Sequence, residues 1–240
     1  LKRIGVLCRA SFFAGKSLKG GNMIIINVMG TIGAGKTTCL NYAKNKIRCS
    51  FWQYKNVSFF REPVKKNIFL KWFYLDGRLF TFLIQIYMMI YYFLKVLIAQ
   101  KKQKTLVIND YGQPLVFTEV LRRGGFLSET KYKSIIGLHK ILSDSFLGNC
   151  KIYNIYIDLS PAINLERIKK RARKIEKNID IDYLQQLHAQ NKKYLSTQEN
   201  VVYISANLFN KKELKKEVFN QIKEIYKNGI NNKKRVSPKY

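Results

Sequence analysis

The chain has 240 residues, is 47% hydrophobic, and carries 44 Lys/Arg against 15 Asp/Glu for a formal net charge of +29. That length and apolar content suit one α/β domain with a full core, and the four cysteines (Cys8, Cys39, Cys49, Cys150) form no CxxC or zinc spacing, so a reduced, intracellular protein is the simpler reading. Such a charge attracts polyanions, but the lysines are scattered, and the Asn/Ile/Lys/Tyr/Phe-rich usage fits an AT-rich viral or insect-associated genome; compositional bias is the preferred explanation.

Residues 1–22 hold five Lys/Arg, no acid, and begin with Leu. Read as a transit peptide, they imply a mitochondrial protein. Read as sequence upstream of a start at Met23, which we favour, they leave a cytoplasmic one. Either way this basic extension is expected to be disordered, with a domain over residues 23–227 and a disordered basic tail over 228–240.

Ile24–Val28 reads as a short buried strand. Gly30-Thr31-Ile32-Gly33-Ala34-Gly35-Lys36-Thr37 then fits G-x-x-x-x-G-K-[ST], with Thr38 beginning a helix predicted to Lys46. Glycines let backbone N–H groups turn inward around phosphate oxygens, and the helix N-terminus adds partial positive charge there. Lys36 is placed to reach the β/γ-phosphates, and Thr37 to hold Mg²⁺. The stretch predicts a nucleoside-triphosphate site.

Asn56–Phe60 is a strand candidate running into Arg61-Glu62-Pro63-Val64, where the proline ends the strand and holds Glu62 at its C-terminal edge. Leu79–Leu94 is the most apolar stretch. Sixteen residues interrupted by Gln85 fall short of the roughly 20 a membrane span needs, so a buried helix is predicted, covered by the sheet on one side and a partner subunit on the other. Thr105–Asn109 is a third strand ending at Asp110. Helices are predicted over Leu115–Arg122 and Glu129–Phe146, with a fourth strand at Ile152–Leu159. Ser160-Pro161 supplies an N-cap and first-turn proline for a helix through Arg173. Ile181–Leu195 (helix), Val201–Ser205 (strand) and Lys212–Lys227 (helix) complete a P-loop NTPase-like, five-stranded parallel sheet covered on both faces.

Arg167 and Arg171 lie four apart on one helical face, and Arg173 follows. Beside a phosphate loop, such an arginine-rich lid can grip the phosphoryl group in transfer.

Gly30–Thr38, Glu62-Pro63-Val64, Phe73-Tyr74 followed by Gln85, the run Arg167–Glu176 and I-x-x-x-Y-L-x-x-L-H (Ile179–His188) together resemble the deoxyribonucleoside kinases, the family of deoxycytidine, deoxyguanosine and mitochondrial thymidine kinases with insect and viral relatives. The resemblance covers about Met23 to Ser205. It implies ATP and Mg²⁺ as cofactors, a small deoxynucleoside as substrate, a homodimer through the Leu79–Leu94 region, and no membrane or nucleic-acid partner. By the same resemblance Glu62 corresponds to the general base for the sugar 5′-hydroxyl, Tyr74 and Glu176 to the pair that holds the 3′-hydroxyl, and Gln85 to the amide that pairs with the base. Arg167, Arg171 and Arg173 match the lid arginines.

Three departures stand out. Family members carry Glu-Arg-Ser or Asp-Arg after the third strand; here Asp110 can stand in for the Mg²⁺-binding acid, but no arginine follows. Asn67 replaces a tryptophan. Tyr92, seven residues after Gln85, stands where purine- and cytidine-preferring relatives use arginine, and Met88 is bulkier than in many relatives. That apolar wall resembles the thymidine-preferring branch, so phosphorylation of thymidine or another pyrimidine deoxynucleoside in nucleotide salvage is expected. The alternatives are a thymidylate-type monophosphate kinase, using Arg61, Arg78 or Arg122-Arg123 on the acceptor phosphate, and a catalytically degenerate, basic nucleic-acid-binding relative.

Overall fold

A computed structural model of the chain describes residues 23–49, 56–63, 77–110, 114–173 and 176–234. Five strands, β1 (Met23–Met29), β2 (Val57–Phe60), β3 (Leu106–Asn109), β4 (Cys150–Asp158) and β5 (Val201–Ser205), form a sheet in the order β2-β3-β1-β4-β5. Every pairing is parallel. The helices among the described residues are α1 (Lys36–Cys49), α2 (Gly77–Lys101), α3 (Pro114–Arg123), α4 (Glu129–Phe146), α5 (Pro161–Arg171), α6 (Ile181–Leu195) and α7 (Lys211–Lys234).

β1 is apolar on both faces because both are covered. Ile24, Ile26 and Val28 join Leu40 and Ala43 of α1 and Val218 and Ile222 of α7 in one core. Met23 and Ile25 pack with Val96 and Ala99 of α2 and Val107 of β3 on the other side. Ile25 and Ile26 are both fully buried, a contribution of roughly 2–3 kcal/mol each. Asn27 is the polar exception. It stands in register with Asn109 and Asn154, and the three amides form a rung across β3-β1-β4, each donating to the next at 2.8 Å.

The helix over Glu129–Phe146 coincides with expectation, as do Ile181–Leu195 and the strand Val201–Ser205. Ser128 and Asp180 cap the two helices by accepting the Lys131 and Tyr183 N–H groups. The other helices differ, α3 by one residue at each end. α1 begins at Lys36 and runs on to Cys49. α5 stops at Arg171, two residues early, because Ala172 turns into the left-handed region (φ 50°) and its N–H closes on the Ile168 and Lys169 carbonyls. α7 continues past the expected end at Lys227 to Lys234; Gly229 lies so close to β1 that a side chain there would collide with Ile24.

α2 has 25 residues rather than 16. By length and composition alone, Phe80–Lys101 could cross a membrane, with mean hydropathy 1.9. Its inner face is packed into the fold instead: Met89, Phe93, Val96 and Ala99 are buried, as are Thr81 and Gln85. On the other side, the one expected to meet a partner subunit, Leu83, Ile90, Leu94 and Ile98 form an exposed outer stripe.

Candidate active site

The loop after β1 turns at Gly33 with φ +89°, a conformation that disfavours a side chain. A Cβ there would also lie 2.9 Å from the Asn164 carbonyl oxygen. Ile32 anchors the loop by packing with Val116, Val120 and Leu187, while Ala34 is fully buried. Gly30, Gly35 and Thr38 complete the turn and the start of α1.

Lys36 is turned back onto this loop. Its Nζ donates to the carbonyls of Gly30 at 2.8 Å and Thr31 at 3.0 Å. The Thr37 hydroxyl donates to Asp110 Oδ2 at 2.7 Å. The other Asp110 oxygen accepts the Glu62 backbone N–H at 2.9 Å. Asp110, itself buried, thus pins the end of β2 to the loop and leaves Glu62 half-buried beside it.

Lys36 and Glu62 act on each other. Enclosure pushes the Glu62 carboxyl above the usual range; Lys36 and Arg173 oppose that rise, whereas Asp110 and Glu176 add to it. Enclosure also lowers the Lys36 ammonium, against the pull of Glu62, Asp110 and Glu176 and with the push of Arg171. The cations facing Glu62 are therefore Lys36 and Arg173, in a chain that lacks an arginine after Asp110. A carboxylate whose pKa is raised is a stronger proton acceptor than an ordinary one, and this one stands next to the phosphate-loop lysine.

The lid arginines divide. Arg171 Nε donates to Glu176 Oε2 at 3.0 Å, and Arg173 donates to Glu176 Oε1 at 3.3 Å, so Glu176 holds two of them beside Lys36 and Glu62. Burial raises the Cys39 thiol of α1, and the charges of Lys215 and Arg167 act against that rise. Glu176, predicted beside Tyr74, is seen with the arginines; Tyr74 lies outside the described residues, as do Asn67 and the run Lys174–Ile175.

Gln85, Met88 and Tyr92 share one face of α2. Gln85 is buried and meets the Thr118 hydroxyl of α3 at 3.1 Å, and that hydroxyl also lies 2.7 Å from the Pro114 carbonyl. One hydroxyl proton serves one acceptor at a time, so the shorter bond takes it and the Gln85 amide completes the contact. Tyr92 lines a cavity of about 80 Å³ with Asn27, Asn154, His139, Tyr194 and Gln198. Burial pushes its phenol well above the usual range.

Two features were not anticipated. Asn164 of α5 is fully buried against the loop, and its donors reach Thr31 and Leu159; four residues from Ile168 on the inward face, it is a polar residue at a core position. Arg122 and Arg123 are both held by Glu119, at 2.9 and 2.7 Å. Arg61 donates to Asn41 of α1. His188, from the most specific part of the motif set, pairs with Asp158 at 3.4 Å, joining α6 to the end of β4.

A parallel sheet with a glycine-rich loop after its central strand, a lysine and threonine opening the next helix, and arginines beyond the fourth strand define a nucleotide-binding α/β protein. The family described as deoxynucleoside kinase matches residues 26–227, and the chain belongs to it. It is 32% identical over 181 residues to a deoxyadenosine kinase of Dictyostelium discoideum, covering 72% of this chain and 66% of that one. A deoxyguanosine kinase of the same organism is 29% identical over 196 residues, covering 77% and 65%. The chain thus spans just under two thirds of the length of these relatives. Its fold is similar to that of deoxyadenosine kinase from M. mycoides with bound dCTP, with a TM-score of 0.67 at 23% identity, covering 84% of this chain and all of that one. The same enzyme with bound dATP gives 0.65 at 25% identity, again over 84% and 100%.

Proposed function

We propose that this protein transfers the γ-phosphoryl group of ATP to the 5′-hydroxyl of a 2′-deoxyribonucleoside. The observation that carries the reading is the Asp110 bridge, which binds the Thr37 hydroxyl with one oxygen and the Glu62 backbone with the other, and so sets a proton acceptor beside Lys36. Glu62 takes the 5′-hydroxyl proton as the alcohol attacks. Lys36 leaves the Gly30 and Thr31 carbonyls for the phosphates, and Arg171 and Arg173 offset the charge on the transferring group. Thr37 and Asp110 offer the hydroxyl and carboxylate oxygens that suit Mg²⁺, which would neutralise phosphate charge there. Tyr74 and Glu176 remain the pair proposed for the 3′-hydroxyl, with Gln85 for the base.

For the base, the Met88–Tyr92 wall supports thymidine. A purine deoxynucleoside is the second reading, supported by the purine-kinase names of the relatives. Arg122, Arg123 and Arg61 are engaged within the protein, which supports a nucleoside over its monophosphate as acceptor. Single-turnover phosphorylation of the four deoxynucleosides and of thymidine monophosphate tests this. Transfer to thymidine supports the first reading and transfer to deoxyadenosine the second; inertness towards all four deoxynucleosides, with salt-dependent DNA binding instead, would sink the enzyme. We also propose a homodimer through the exposed stripe of α2.

A further inference from the structure

The helix that carries the lid arginines rests directly on the glycine-rich loop. Asn164 is fully buried at that contact, and its Nδ2 donates to the Thr31 hydroxyl and, at 3.1 Å, to the Leu159 carbonyl at the end of β4. Its backbone oxygen covers Gly33, and Ile168, one turn further on, covers the same glycine. Thr31, 1% exposed, accepts Lys36 Nζ at its own carbonyl. A continuous path therefore runs from Lys36 through Thr31 to Asn164, and along α5 to Arg171 and Glu176.

The amide is not a comfortable core filler. Its Oδ1 is buried with no hydrogen-bond partner among the described residues, a cost that an apolar side chain of equal size would avoid. What the amide supplies is geometry: two donated bonds fix both the height and the rotation of α5 over the loop.

We propose that Asn164 is a positioning residue that couples the occupied phosphate loop to the lid arginines. The proposal rests on the phosphotransfer reading above. When a triphosphate draws Lys36 off the Gly30 and Thr31 carbonyls, any shift of Thr31 passes through the Asn164 amide to α5, and so to the arginine nearest Glu176. Without the amide, the loop and the lid respond to ATP separately.

The test uses the full chain with Asn164→Leu, and Asn164→Ala in case the leucine variant does not fold. Steady-state kinetics should show KM for ATP raised about tenfold, as loss of one hydrogen bond implies, with KM for the deoxynucleoside within about twofold of wild type. ATP should slow tryptic cleavage within residues 167–173 of the wild type and leave the variant's cleavage rate unchanged. Equal ATP protection in both proteins, or both Michaelis constants rising together, overturns the coupling. A wild-type chain that binds ATP and gains tryptic protection, yet transfers nothing, overturns the phosphotransfer reading and leaves the coupling standing.

Discussion

Replacing Glu119 by glutamine removes the negative charge and one of the two acceptor oxygens that hold Arg122 and Arg123 on α3, the helix whose Thr118 meets Gln85. Arg122 donates to both Glu119 oxygens, at 3.0 and 2.9 Å, and Arg123 to one of them at 2.7 Å. Those bonds, Arg122's first and then Arg123's and Tyr132's, hold the buried carboxyl down at about 2 against the cost of burial. A carboxyl held there rather than at its ordinary value of 4.5 contributes about 3 kcal/mol. The Arg122 and Arg123 side chains are 33% and 51% exposed, so solvent screening brings the expected contribution to about 2 kcal/mol. Because the folded-state pKa is depressed, this stability is present in full above about pH 4.5 and is lost as the pH falls toward 2. Urea unfolding of wild type and Glu119→Gln should therefore differ by about 2 kcal/mol at neutral pH, and the two curves should converge near pH 2. A neutral-pH gap below about 0.5 kcal/mol, or one that persists unchanged in acid, refutes the assignment.

Glu62→Gln should lower kcat by about 10²–10⁴-fold while the melting temperature at neutral pH holds or rises, since a carboxyl whose burial raises its pKa is better tolerated uncharged; steady-state kinetics beside a thermal melt reads both. In wild type the acid limb of the rate profile should lie above the ordinary glutamate value of 4.5, with activity falling as pH drops through it; a limb at or below 4.5 counts against Glu62 as the base. Gly33→Ala must place its methyl group against the Asn164 carbonyl at a left-handed φ, so ATP binding measured by titration should weaken by at least about tenfold. Ile90→Lys with Leu94→Lys, both on the exposed α2 stripe, should shift a dimer to monomer by light scattering without moving the circular dichroism spectrum.

Much of the framework was legible because its signals are local. The glycine loop, the strand before it, and the helix opened by Ser160-Pro161 declare themselves through turn and cap chemistry within a few residues. The misread ends were decided by contacts far along the chain. α5 unwinds at Ala172 where Arg171 and Arg173 turn back to a shared glutamate, and α7 runs on past Lys227 where Gly229 lies against Ile24 of β1. Spacing put Arg167 and Arg171 on one face, and of the two Arg171 is the one bonded to Glu176. Asn164 gave no motif; its meaning depends on a loop more than a hundred residues earlier.

The close approach of Gly229 to Ile24 also bears on how the molecule is made. β1 lies at the centre of the sheet, and its two neighbours, β3 and β4, follow it by roughly 80 and 125 residues. Its outer covering is completed only by the final helix. A nascent chain can lay α1 against β1 early, but the part of the covering that α7 supplies arrives roughly 190 residues after the strand, and chaperone demand and refolding yield should be set by how soon that helix reaches it.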